Sequence, residues 1–274
     1  MAKVSEEART RYFEKIREYK TGIDNILAQE KKIQAIINAS SDDASFQKIQ
    51  LAEENLLMLS NYLLMNQLSL DLLGIKNENF LNDARKVSYK IIIYLEDVFS
   101  DYLDVAYSEY SDRIDKVQDY PEESRYKLIR KLGFSIQMVK DGFGENSKWK
   151  WSIIEMEGRL ATLCKNVIDL KKFVPGMDPR SEGFRERVEH FRLTCRLLQG
   201  AADSYRMKYE LSTNRMDDFK AAINYLSALK RFFTLTNQKR EIEELKKKID
   251  IWKQKMESDA KQTENAARIK RLSK

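Results

Sequence analysis

Residues 12–37 read YFEKIREYKTGIDNILAQEKKIQAII, and their apolar side chains decide the fold class. Tyr12, Ile16, Tyr19, Ile23, Ile26, Ile33 and Ile37 follow one another mostly in steps of four and three. That spacing lines them along one side of a helix turning every ~3.6 residues, whereas a strand would need alternate residues. Glu30 is the one polar residue in the stripe, and polar or charged residues fill most positions between. The segment is an amphipathic helix with one face to bury.

The same spacing recurs along the chain. A second stripe runs through Ile49, Ala52, Leu56, Leu59, Leu63, Leu70 and Leu73 and stops at Gly74, a residue suited to the left-handed turn after a helix. A third starts after Asn77 with Phe80, Ala84, Val87, Ile91, Tyr94 and Val98. It slips near Asp101 and resumes as Leu103, Tyr107, Tyr110, Ile114 and Val117, which predicts one long helix with a stutter. Pro121, with Glu122 and Glu123 behind it, marks a helix start, and a short helix is expected to run to about Lys140. The stretch 141–148, DGFGENSK, is the richest in turn formers and is the expected hinge. Trp149, Ile153, Met156, Leu160, Leu163, Val167, Leu170 and Val174 form the next stripe, stopped by Pro175-Gly176. Phe184, Val188, Phe191, Cys195, Leu198, Ala202, Tyr205 and Tyr209 follow, and a last helix carries Met216, Phe219, Ile223, Leu226 and Phe233. It slips near 235–237 and continues through Ile242, Leu245, Ile249, Trp252 and Met256.

The expectation is an all-α chain of long helices, antiparallel between sequence neighbours because their links are short. Residues 1–120 and 149–256 would form two three-helix-bundle-like halves in an elongated assembly. The stretch 121–148 would be a connector helix and hinge, and 257–274 a polar basic tail. Composition agrees: 9 Gly and 3 Pro in 274 residues are too few for the turns of a sheet protein, while 42% apolar and 10% aromatic residues exclude a disordered chain.

The net charge of +6 is unevenly placed. Residues 238–274 hold twelve Lys and Arg against seven Asp and Glu, whereas 96–119 hold eight acids and two bases. The first residues contain no apolar run of signal-peptide type. The most apolar window, 56–75, is interrupted by Asn61, Asn66, Gln67 and Asp71, which would be costly in hydrocarbon. A soluble, cytoplasmic protein is expected, with an exported mature form left open. Cys164 and Cys195 lie in different stripes and are expected to be buried thiols in a reducing compartment.

The single His190 limits catalytic and metal chemistry. It sits on a helix flank, and Cys195 lies about 140° away around that helix, so a Cys–His pair is not formed there. No CxxC or HxxxH pair of zinc-site type occurs, and no cofactor is implied. An all-carboxylate site is conceivable if Asp97, Asp101 and Asp104 share a face of the third helix. Asp141-Gly142-Phe143-Gly144 lacks the strand and the Lys-Ser/Thr of a phosphate loop, and reads as a hinge. Trp149 belongs to a core stripe; Trp151 does not, and is a candidate anchor for a partner.

The expected function is therefore non-enzymatic: a helical scaffold that joins protein partners in a larger assembly, with self-association through heptad faces also allowed. The candidate interaction residues are Tyr102, Asp104, Tyr107, Tyr110, Trp151, Arg268, Lys270 and Arg271. The alternative is a peripheral binder of an anionic surface, membrane or nucleic acid, through the basic C-terminal segment. That binding would be weak and salt-dependent.

Overall fold

The computed structural model describes residues 4–39 and 43–272, with the backbone alone for 266–272. The fold is all-α: 84% of the described residues are helical, and none of them lies in a strand. The described residues form ten α-helices and divide into two compact units. One comprises residues 1–101 and 108–169, the other 102–107 and 170–274.

In the first unit α1 (Glu6–Ala39) packs on α2 (Ser45–Leu73), and α2 packs on α3 (Glu78–Phe99). The stripe of α1 is the face that turns inward: Tyr12, Ile16, Ile23 and Ile33 are buried. The polar slip in that stripe has a partner, since the Glu30 carboxylate accepts from Lys90 Nζ and, at 2.8 Å, from the Tyr94 hydroxyl. Gly74, at φ 66°, ends α2, its N–H returning to the Leu70 carbonyl. Asn66 interrupts the apolar window for a local reason: its Oδ1 accepts the Asn77 N–H at 2.9 Å, while the Asn77 side chain caps α3. An ion pair from Lys48 to Asp97 joins the start of α2 to the end of α3, so the two run antiparallel. No helix among the described residues is long and apolar enough to cross a membrane.

The third stripe is two elements and not one stuttering helix. It leaves the helix at Ser100, whose φ of 88° and ψ of 153° lie in a region that L-residues rarely adopt. The chain re-enters helix only at α4 (Ser111–Lys116), after a 3₁₀ turn at Tyr107–Glu109. Val98 before the break and Tyr110, Ile114 and Val117 after it are all buried, so apolar spacing alone could not tell a slip from a break.

Two further helices complete this unit. α5 (Glu122–Phe143) begins at Pro121 as expected, and α6 (Lys150–Asn166) returns antiparallel to it, tied by the Lys140–Glu157 pair at 2.7 Å. Both pack on α3, so the division of the chain falls after Asp169 and not at the expected hinge 141–148. That stretch, with Gly144 at φ 83°, is a tight link inside one unit. The connector 121–148 is correspondingly part of the first unit's core: Leu128, Ile129, Leu132, Ile136 and Val139 are all buried.

The second unit contains the short α7 (Leu170–Phe173), α8 (Phe184–Lys208), α9 (Met216–Leu235) and α10 (Lys239–Leu272). Here too a continuous stripe is broken: the segment expected from 149 to 174 stops at Asn166, and the slip at 235–237 is a helix end with Asn237 at φ 55°. α9 and α10 therefore pair as a hairpin, and ring contacts Phe219–Trp252 and Phe191–Phe232 show α9 antiparallel to both its neighbours. Phe173, Phe191 and Phe232 stack at one end of the core; Tyr209, Phe219 and Trp252 fill the other, with the Arg206 guanidinium 4.6 Å from the Phe219 ring. A π-helical turn at Tyr209–Thr213 closes α8, and Asn214 ends it at φ 49°. The expected polar tail from 257 continues α10 as helix to Leu272, and Asp259 accepts the Tyr209 hydroxyl at 2.9 Å.

Candidate functional site

Few helices are apolar around most of their circumference unless something covers them. α2 is such a helix. Ile49, Ala52, Leu56 and Leu59 are buried from the stripe, and Leu51, Met58 and Met65 are buried outside it. Two leucines seven residues apart, Leu57 and Leu64, still face outward; Leu57 is 62% exposed. α5 runs alongside in the same direction, held at one end by Tyr120 OH to Glu53 Oε1 at 2.8 Å and at the other by Lys76 Nζ to the Phe143 carbonyl at 3.0 Å. Between them lies a cleft of about 550 Å³. Leu56, Leu57 and Leu128 line it with Phe134, which is 67% exposed, and Ser60, Ser124 and Ser135 add hydroxyls.

The cleft lining carries charges of both signs, Glu53 against Lys127 and Lys131. Its single lining acid, Glu53, is already taken by Tyr120, whose phenol is pushed well above its ordinary pKa by burial and by the Glu53 carboxylate. Lys127 pairs with Glu123 one turn earlier, and Lys131 makes no ion pair among the described residues. The arrangement is an apolar recess with charges of both signs at its edge. Nothing in the periodicity singled these residues out, but a signal was present: Leu57, Leu64 and Phe134 are apolar residues off the four/three stripe.

A second polar feature lies inside the same unit, at the ends of α3 and α6. Residues 161–169 are all buried, Lys165, Asn166 and Asp169 among them. Asn166 Nδ2 donates to the Ser100 carbonyl at 2.9 Å and to its Oγ at 3.2 Å, while Lys165 Nζ donates to Asn166 Oδ1. The Arg125 guanidinium donates to three carbonyls, of Val117, Tyr120 and Val167. These bonds fix the irregular backbone between α3 and α5. Nearby, Arg159 binds Glu96 through two parallel bonds, and the carboxylate raises the guanidinium pKa further.

The residues singled out from sequence are dispersed. Tyr102 is exposed, Tyr107 is half-buried, and Asp104 pairs with Arg231 at 3.0 Å, all within the second unit. Tyr110 is buried in the first unit with Lys165 Nζ 4.9 Å from its ring. Trp151 is half-buried beside Lys150, and Trp149 lies under the Arg85 guanidinium at 3.9 Å. The side chains of Arg268, Lys270 and Arg271 lie outside the described residues. Asp97, Asp101 and Asp104 do not share a helix face, because the chain leaves the helix at Ser100. The described residues hold no group of three or more His, Cys, Asp or Glu placed to bind a metal ion. His190, expected on a flank, is buried, whereas Cys195 is only half-buried and Cys164 fully so.

Among known proteins, the model of the TP0443 family matches residues 8–260 of this chain. No curated protein matches, and no solved structure matches. The family match spans every helix of both units except the last turns of α10, so the chain belongs to the TP0443 family.

Proposed function

We propose that the protein is a non-enzymatic helical scaffold that joins protein partners. The observation that carries this reading is the outward face of α2 with its neighbour α5. Leu57, Leu64 and Phe134 there stand exposed to water beside an apolar recess, and such patches mark interaction surfaces. Each unit has its own aromatic or aliphatic core, which suits a part that presents surfaces at fixed positions. A cytoplasmic setting is part of the same reading. Photo-crosslinking in the native cell, from one exposed position in each unit, tests the proposal. A reproducible protein partner from each unit is expected; no partner from either would sink it.

A second reading draws on charge. The second unit has 25 Lys and Arg against 16 Asp and Glu, a net of +9, while the first is net −3. That asymmetry favours an anionic surface as a ligand of the second unit. Co-sedimentation with anionic vesicles or an oligonucleotide at two salt concentrations tests it, with binding expected only at the lower salt.

A further inference from the structure

We infer that α1 is a releasable cover, holding in cis a face of α2 that takes an amphipathic helix of a protein partner once α1 lifts. The inference rests on the scaffold reading and gives α2 a second face, one already occupied in the closed protein.

The seam between α1 and α2 gives the first argument. The two helices lie close at Gly22, where an added Cβ would stand 3.1 Å from Asn61 Nδ2. Glu54 and Gln47 precede Asn61 by one and two heptads, so all three share the side of α2 turned to α1. Gln47 Oε1 and Glu54 Oε2 are buried and accept no hydrogen bond among the described residues. Acceptors buried in that state weaken the seam, and lifting α1 returns them to water. Four residues beyond each member of the polar set stand Leu51, Met58 and Met65, all buried. The two flexible methionines suit a face that takes more than one helix.

The extent of burial gives the second. α1 buries four of its 34 residues, whereas α3 buries nine of 22. It packs on α2 and reaches α3 through Glu30, whose carboxylate meets Lys90 and Tyr94. A helix with so few buried apolar residues opens before the core beneath it. α1 also defines what replaces it. The incoming helix carries apolar residues spaced as Tyr12, Ile16, Ile23 and Ile33, with an acid placed as Glu30.

The test uses the full chain and, as probe, a fluorescein-labelled peptide of its residues 6–39. Amides of α1 should exchange with deuterium at least about a hundredfold faster than those of α3. The peptide should bind saturably in fluorescence anisotropy. Gly22→Cys with Asn61→Cys places a disulfide across the seam. Its oxidised form should slow α1 exchange at least about tenfold and abolish peptide binding, with reductant restoring both. Ile23→Ala weakens the seat of α1 in cis and leaves the peptide intact. Peptide binding should then tighten at least about tenfold, with exchange in α5 and α6 unchanged. Protection of α1 equal to that of α3, no saturable binding, or indifference to both variants overturns the inference. So does a dimer of the protein that the disulfide abolishes, since a second copy's α1 then takes the face. If cellular partners are found while α1 stays closed and the peptide fails to bind, the cover falls and the scaffold reading stands. If the peptide behaves as expected and no partner is found in cells, the reverse holds.

Discussion

Asn166 and Ser100 permit a test in which two neighbouring substitutions should differ in size and even in sign. Asn166→Ala removes the donor that holds the Ser100 carbonyl, leaving a fully buried acceptor without that bond. An unsatisfied buried group costs about 1–3 kcal/mol, and the cavity left by the amide adds to it, so about 3 kcal/mol is expected. In a unit of about 160 residues that corresponds to a melting temperature lower by about 6–12 °C. Ser100→Gly acts on the other partner. It loses the long 3.2 Å bond to Oγ, worth about 1 kcal/mol, and adds roughly 0.5–1 kcal/mol of unfolded-state entropy. Against that it relieves a serine held at φ 88°, a strain of about 1–3 kcal/mol, so the net change should lie within about 1 kcal/mol of zero. Urea unfolding followed through hydrogen exchange of α3 and α6 amides would isolate this unit from the other. Equal losses for the two variants, or a tolerated Asn166→Ala, would refute the account of how α3 is ended.

Other outcomes follow from named contacts. Arg125→Lys should destabilise the first unit by more than about 2 kcal/mol, because one ammonium cannot reach three carbonyls that a planar guanidinium spans; chemical denaturation checks it. Burial, then the Glu30 carboxylate, raises the Tyr94 phenol above its ordinary value near 10. Its contribution is thus complete below pH 10 and is lost as pH rises toward the folded value, so Glu30→Gln should lessen the alkaline loss of stability in a pH series of melts. Thiol reagents should label half-buried Cys195 faster than fully buried Cys164 in native protein, with the difference vanishing in urea. Truncation after residue 264 should leave the second unit's melting unchanged, whereas truncation after 258 removes Asp259 from the Tyr209 hydroxyl and should lower it by a few degrees.

Several local features are legible in the chain's own residues. Pro121 with two following acids marks the start of α5, Gly74 ends α2, and Tyr12, Ile16, Ile23 and Ile33 are the buried side of α1. Glu30 stands out as a flaw in a stripe, though its partners sit more than fifty residues away and cannot be read from its neighbours. The surface groove is less legible, because an off-stripe leucine is ordinary on a helix until a second helix with its own exposed phenylalanine runs beside it.

The sequence by itself determined that this chain is all-α and which face of most helices turns inward. Helical periodicity is a local property: each stripe reports the direction that must leave water, whatever lies on the other side. The tertiary structure alone decided where helices break, which helices share a core, and which apolar residues stay outside. At Ser100 and Asn237 the register shows only a slip, which does not tell a stutter from a helix end, and at Asn166 the stripe runs on without one. Whether α5 and α6 join the first three helices depends on contacts such as Arg159–Glu96 and Tyr89–Ser152, whose members lie some sixty residues apart. Those pairings are set by competition among all faces for burial, a sum over the whole chain that no window of sequence contains.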